Sequence, residues 1–346
     1  MSMEFGIKND KITKALLRTT IAKSLVEIQH DPKRSVRNLV DLGLNFAEGC
    51  NQREIFDITQ RYLSNENSAY YRLAENIVNE IDHSKLITFG MNFGYNGCTS
   101  GARVLREKCS QLGIHIPFLL IFTIGDSEDS LTPEDIVSAV RQGMELGIYI
   151  YALICATDKY PELLEIAAQF SECAFMYFVN PRRLTRETIS RVSELENIVT
   201  SVRCDGESDA CLEAISAMRA QGCITVAHYE YSPASINAIL SNSITDYFSE
   251  TGAIAGILYA SPDTDAAAQQ MVADYVSEIV RSQQYPFFMF ESKQDITKIE
   301  KMFSNVECFV HFKDGGKAYY SPAQIEVKDA TLRNGTLVDV LRGLKY

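Results

Sequence analysis

Residues 132–153, TPEDIVSAVRQGMELGIYIYAL, carry a helix directly into a strand, and that junction decides the fold. Thr132 is a capping residue, Pro133 takes the first helical position and an acid, Asp135, stands three residues on, so a helix starts here. Ile136, Val137, Val140 and Met144 then recur at helical spacing and give it one apolar side. From Ile148 to Ile154 the chain becomes a β-rich run. The same alternation extends in both directions, through runs at Pro117 to Ile124, Ala174 to Val179, Ile198 to Arg203, Ile224 to His228, Ile254 to Ala260 and Pro286 to Phe290, separated by amphipathic helices. Strands alternating with helices of this length imply a parallel sheet covered by helices. Six or seven such units suit a partial or full (β/α) barrel, and the glycine-rich first turn of a dinucleotide-binding sheet is missing.

Residues 1–112 read as a helical N-terminal extension, with Ile12, Leu16, Leu17, Ile21, Leu25 and Ile28 in one helix and Val36, Leu39 and Val40 in the next. Residues 113–304 hold the barrel. In residues 305–346, Glu307 to Phe312, Asp314-Gly315-Gly316 and Lys317 to Tyr320 predict a β-hairpin, and Thr336 to Leu344 a closing helix. The 346 residues carry 45 acidic and 33 basic side chains, a net charge of −12 that repels the phosphate backbone, so no nucleic acid is expected as a partner. The apolar runs fall short of a membrane span, and Lys8, Lys11 and Lys14 interrupt any signal-like core, which predicts a cytoplasmic protein. Nine cysteines without a CxxC suggest free thiols. Residues 1–37 hold a surplus of +4, leaving −16 for the rest, so the basic arm is expected to lie on the acidic body or on a partner. Contact of residues 8–28 with an anionic membrane surface is the sharper alternative.

Three pieces carry a family resemblance. They are the opening segment at 132–153, SECAFMYFVNPRRLT at 171–185, which runs a third strand into a TNG-type loop at Val179, Asn180 and Pro181, and SVRCDGES at 201–208 where a fourth strand ends. The order of elements over roughly residues 30–343 resembles the radical SAM superfamily, specifically members with a SPASM-type C-terminal region. That resemblance implies an α/β fold of the radical SAM barrel type, a [4Fe-4S] cluster held by a CxxxCxxC loop, S-adenosylmethionine, and peptide modification. The cluster loop has no counterpart here: the first strand passes into Gly125, Asp126, Ser127, Glu128, Asp129 and Ser130, with no cysteine between Cys109 and Cys155. The GGE-type motif is met only by Cys155, Ala156 and Thr157. Met91, Tyr95 and Cys98 reproduce the cluster spacing with a single cysteine, and thioether and phenol are poor substitutes for thiolates. In the hairpin Cys308 stands at an auxiliary-cluster position, while Ser321 takes the second one, beside Tyr319 and Tyr320. The expectation is therefore a catalytically degenerate protein, a pseudoenzyme with no cofactor, no [4Fe-4S] cluster and no S-adenosylmethionine.

In a barrel of this kind the C-terminal strand ends converge on one mouth. Asp126, Glu128, Cys155, Asp158, Asn180, Cys204, Asp205, Glu207, His228, Tyr229, Glu230 and Tyr231 are expected there. Thiols, an imidazole and carboxylates are the groups of metal or acid-base chemistry, yet no short ligand spacing is present, so no metal is expected. Three readings of function compete. One is a binding or accessory subunit for a peptide precursor or a competent radical SAM partner, touching it through Arg34, Arg37, Tyr319 and Tyr320. Another is a non-radical enzyme with Cys155, Cys204, His228, Asp126 and Asp205 as candidate catalytic residues; a cluster-free S-adenosylmethionine-binding protein is the third reading.

Overall fold

The computed structural model describes residues 2–47, 50–205, 208–321 and 324–344. Its N-terminal part is helical, as the spacing predicts: α1 (Ser2–His30), α2 (Pro32–Phe46), α3 (Cys50–Leu63), α4 (Tyr70–Glu80) and α5 (His83–Gly90) lead into a π-helical stretch, Met91–Gly101, and then α6 (Ala102–Leu112). The stretch of Met91, Tyr95 and Cys98 is thus wound as a π-helix and faces the starts of the strands. Asn92 donates through Nδ2 to the carbonyls of Ser171 (2.7 Å) and Cys173 (2.9 Å), and Asn96 donates to that of Glu172 (2.9 Å). Lys85 donates to the Ser193 carbonyl, and the Asp82 N–H to the Gly222 carbonyl at 3.1 Å. The helical part therefore caps the end of the barrel opposite the mouth.

Seven parallel strands follow in order, β1 (Leu119–Ile124), β2 (Ile150–Cys155), β3 (Ala174–Val179), β4 (Ile198–Arg203), β5 (Thr225–Tyr231), β6 (Ala255–Ala260) and β7 (Phe288–Glu291). The connecting helices are α7 (Pro133–Glu145), α8 (Tyr160–Gln169), α9 (Arg186–Ser193), α10 (Ser208–Ala220), α11 (Ile236–Leu240), α12 (Ser243–Thr251) and α13 (Ala266–Ser282). Thr132 and Asp135 make the reciprocal cap of α7 that their spacing predicts, at 3.2 and 3.0 Å. Each strand alternates its side chains between two faces. Leu120, Phe122, Tyr151, Leu153, Phe175 and Tyr177 meet the helices on one face in the main core. Burying an aromatic or branched side chain of this kind contributes about 1.5–3 kcal/mol.

The barrel is partial. The sheet has ten strands in the order β10-β9-β8-β1-β2-β3-β4-β5-β6-β7, with β10 and β7 as its edges. The C-terminal hairpin, β8 (Val310–Lys313) and β9 (Lys317–Tyr320), is built into this sheet, because β8 pairs in parallel with β1 and so completes an eight-strand parallel run. β10 (Ile325–Thr331), which the sequence reading left out, extends it, and α15 (Leu337–Arg342) closes the described chain. A second unforeseen element is α14 (Ser292–Ser304), which packs on the concave face: Ile296, Ile299, Met302 and Phe303 join Leu119 and Ile121 of β1 and Ile150, Ala152 and Ile154 of β2. The buried Glu300 on α14 accepts the Phe118 and Leu119 N–H groups at 2.8 and 3.0 Å. The expectation of free thiols throughout needs correction, because Cys204 and Cys211 are joined by a disulfide.

Candidate functional site

The concave face at the C-terminal strand ends carries the densest polar cluster of the mouth. Strand alternation puts Ser201 and Arg203 of β4, His228 and Glu230 of β5 and Tyr259 of β6 on the same face, and the register sets Arg203 beside His228 and Glu230 beside Tyr259. Arg203 grips Asp205 with both prongs of its guanidinium, Nε to Oδ1 at 2.7 Å and Nη2 to Oδ2 at 2.6 Å, and reaches Glu230 at 2.8 Å. The Tyr259 hydroxyl donates to the same Glu230 oxygen at 3.4 Å. The hydrogen bond to Asp205 is the main reason that the Arg203 guanidinium holds its proton more firmly than usual. One cation thus serves two carboxylates, in the planar bidentate geometry at which arginine is strongest.

Beside this cluster, His228 is 3% exposed. Its Nδ1 lies 2.9 Å from the Ser201 hydroxyl, and its ring rests between Phe178 (5.2 Å) and Tyr259 (5.8 Å). Burial pushes its pKa down to about 3, so the imidazole is neutral. A second histidine mirrors it across the concave face: His311 of β8 sits 2.7 Å through Nε2 from the Thr123 hydroxyl of β1 and is likewise lowered by burial to about 3. Next to it Lys313 lies 4.9 Å over the Tyr319 ring and donates to Gln324 at 3.2 Å, while the Tyr319 hydroxyl donates to Glu326 at 3.3 Å.

The residues singled out from the sequence fall into separate places. Asp205 and His228 meet in the mouth cluster. Asp126 is exposed in the β1–α7 loop and accepts the Thr157 hydroxyl; Glu128 is exposed in the same loop. Cys155 points the other way, into the helix-covered core, where burial raises its thiol pKa. Cys204, bonded to Cys211, has no thiol to offer. Asn180 spends its side chain on capping the Arg182 N–H at 3.0 Å. Tyr231 is buried on the helix side and donates to Glu291 at 3.2 Å. Glu207 lies outside the described residues. Arg34 is exposed on α2, whereas Arg37 staples α2 to the helical layer through the Leu63 carbonyl (3.3 Å), the Tyr71 hydroxyl (2.8 Å) and Glu66 (2.6 Å). Tyr319 faces the concave side, and Tyr320, one residue on, packs against the main core. Residues 8–28 lie within α1, whose Leu17, Leu25 and Ile28 are buried while Ile12, Leu16 and Val26 are exposed.

Sequence reading missed Arg203, Ser201, Phe178 and Tyr259. For two of them the signal was present, since period-two alternation puts Ser201 and Arg203 on one face of β4 as it puts His228 and Glu230 on one face of β5, whereas Phe178 and Tyr259 join them only through the pairing of the strands. Two open clefts lie elsewhere, one of about 430 Å³ between α13 and α14 around Lys293 and Thr297, the other of about 610 Å³ between α8 and α9 around Arg183 and Arg191.

The resemblance drawn from the sequence implies a [4Fe-4S] cluster and S-adenosylmethionine. A cluster needs three thiolates at one place. Cys155 faces the helices, Cys204 is bonded, and among the described residues no group of three or more His, Cys, Asp or Glu is arranged to hold a metal ion. The donor set of the described residues does not fit the cluster, and no chemistry is derived through it.

No protein-family model matches the chain, and no curated protein matches it. Solved structures do. SuiB of Streptococcus suis superposes with a TM-score of 0.52 at 12% identity, over 70% of this chain and 69% of SuiB. SuiB bound to its precursor peptide SuiA gives 0.52 at 11%, over 70% and 68%, and SuiB bound to S-adenosylmethionine gives 0.51 at 12%, over 70% and 67%. The chain has the SuiB fold. The α/β barrel of the radical SAM type expected from the sequence is thereby established, at the level of fold. The expectation against S-adenosylmethionine is corrected: it rested on missing motifs alone, and the SuiB complex shows this fold accepting that molecule. Among the described residues, no helix is long and apolar enough to cross a membrane.

Proposed function

We propose that this chain is a peptide-binding protein on the radical SAM barrel fold, working as a binding or accessory subunit whose mouth receives a peptide precursor or a protein partner. One observation carries the reading: the ionisable groups of the mouth answer one another. Arg203 is saturated by Asp205 and Glu230, and His228 is buried and neutral with a pKa of about 3. A general base works best with a pKa near the operating pH, so His228 is poorly matched to proton transfer, and neither Cys155 nor Cys204 offers an accessible thiolate. A fixed array of charge and aromatic surface is suited instead to recognition. The SuiB complex with SuiA supports a peptide as the ligand class. Tyr319 on the concave face is a further contact candidate, while Arg37 and Tyr320 serve internal packing and the exposed Arg34 lies on α2, at the end opposite the mouth.

The test is titration calorimetry with synthetic peptides encoded beside this chain's gene, alone and with S-adenosylmethionine. A dissociation constant near micromolar, about −8 kcal/mol, is expected for one of them, weakened at least tenfold by Arg203→Ala or Tyr319→Ala. Absence of binding by every such peptide, together with a turnover lost in His228→Asn, replaces this reading with that of a non-radical enzyme.

A further inference from the structure

α1 is apolar on two sides. One side holds the buried Leu25 and Ile28 and the half-buried Ile21, which pack with Val36 and Leu39 of α2, Ala74 and Val78 of α4 and Leu86 and Ile87 of α5. The outward side carries Ile12, Leu16 and Val26, which are 53%, 63% and 48% exposed. Ile12, Thr19 and Val26 lie seven residues apart, as do Leu16 and Lys23, so two rows run side by side along the helix for about 21 Å. The Thr19 and Thr20 hydroxyls donate back to the Ala15 and Leu16 carbonyls, each at 2.9 Å, and so are satisfied within the helix. A single exposed apolar side chain is ordinary, whereas three along one helix leave a second face to be covered. The charge on this face has one sign. Of the α1 side chains described, Lys11, Lys14, Arg18 and Lys23 are basic and Glu27 alone is acidic, and it is engaged by Lys23 at 3.5 Å. Beyond residue 37 the chain carries −16.

We propose that the outward face of α1 docks on an anionic lipid bilayer, lying in the plane of its surface. Ile12, Leu16 and Val26 enter the headgroup layer, while Lys11, Arg18 and Lys23, all exposed, meet the lipid phosphates and bury their aliphatic stems beside them. Charge selects this occupant over a second copy, because pairing α1 with α1 sets like charge on like. Shape agrees, since the outward side of a helix is a ridge that a plane can meet along its whole length. The place of α1 in the fold is also suited to the role. It packs on α5 and on the π-helical stretch that caps the strand starts, and Lys14 reaches Glu172, in the turn that opens β3, at 3.8 Å. The mouth therefore opens away from the docked surface, and the acidic body stands off the lipid beyond the range of strong repulsion. Docking does not depend on what the mouth binds.

The experiment is flotation of the full chain with vesicles of phosphatidylcholine alone and of phosphatidylcholine containing about one-third phosphatidylglycerol. Binding is expected only to the second kind, and raising the salt from about 50 to 300 mM weakens it at least about tenfold. Leu16→Glu, and separately Lys11→Glu with Lys23→Glu, each lower the bound fraction at least about fivefold at low salt while the far-UV circular dichroism stays that of the wild type. Met271→Glu, the same charge placed on another exposed apolar residue, on α13, leaves binding unchanged. Absence of binding to the phosphatidylglycerol vesicles overturns the proposal, as does equal binding to phosphatidylcholine alone or binding that survives both sets of α1 variants. A doubled molecular mass in solution that is lost in Leu16→Glu, without vesicle binding, gives this face to a second copy and likewise overturns it. No peptide enters these measurements, so the docking face and the proposed function stand or fall separately.

Discussion

At the scale of the residue, the two concave-face histidines are the most telling groups. His228 is buried and His311 half-buried, each with a hydroxyl partner, Ser201 for His228 and Thr123 for His311, and each is depressed from about 6.5 to about 3. The unfolded chain takes a proton on each as the pH falls below 6.5, and the folded chain refuses it down to about 3. The stability that neutral burial contributes is therefore present above pH 6.5 and is lost progressively below it, by about 2 kcal/mol per histidine at pH 5. Urea midpoints between pH 7.5 and 5 are expected to fall more steeply for the wild type than for His311→Asn or His228→Asn. Equal slopes would show the imidazoles to be protonated in the fold. The sequence placed His228 at the mouth because it ends a β-rich run; that its ring is enclosed by Phe178 and Tyr259 depends on strands brought together by the register, which no local pattern encodes.

At the scale of the element, close backbone approach and one buried carboxylate hold the helices to the sheet. Gly147, at φ +91°, lies where a Cβ would meet the Gly101 carbonyl at 2.5 Å and the Leu105 nitrogen at 2.7 Å. Gly147→Ala is expected to destabilise by about 3 kcal/mol or more, whereas Gly94→Ala, which opens onto free space, stays within about 1 kcal/mol in thermal denaturation. On α14, Glu300 is pulled two ways: burial raises it, and the Phe118 and Leu119 N–H groups and the Ser304 hydroxyl lower it, for a pKa of about 8. Both of its oxygens accept backbone N–H groups, so an amide must turn its NH₂ toward one of them. Glu300→Gln is expected to cost about 1–3 kcal/mol, visible as a lower urea midpoint; a neutral result would mean that α14 is held by its apolar side alone. The strands from β1 to β7 were legible because β-rich runs and caps such as Thr132 are local signals. α14 was not, because its helical spacing of Ile296, Ile299 and Phe303 says nothing about which face of a sheet it will cover. β8 was read as half of a hairpin, which it is, but its parallel pairing with β1 joins residues nearly two hundred positions apart.

At the scale of the whole molecule, helices cap one end of a partial barrel, α14 lines its concave face, and the C-terminal strands extend the sheet to an open edge at β10. The clamp groups Arg203, His228, Glu230 and Tyr259 lie on β4, β5 and β6, and none of them lines the α13–α14 or the α8–α9 cleft. A chain with a net charge of −12 selects among peptides by charge, and raising the salt from 50 to 300 mM is expected to weaken binding of a basic peptide severalfold; an unchanged affinity would assign recognition to the aromatic walls. The most direct test of the central claim is a hydrogen-exchange footprint of the full chain with and without the peptide that binds it in calorimetry. The account predicts protection centred on 203–205, 228–231 and 259–261. Protection confined to the α13–α14 or α8–α9 cleft, with the mouth unchanged, would contradict it.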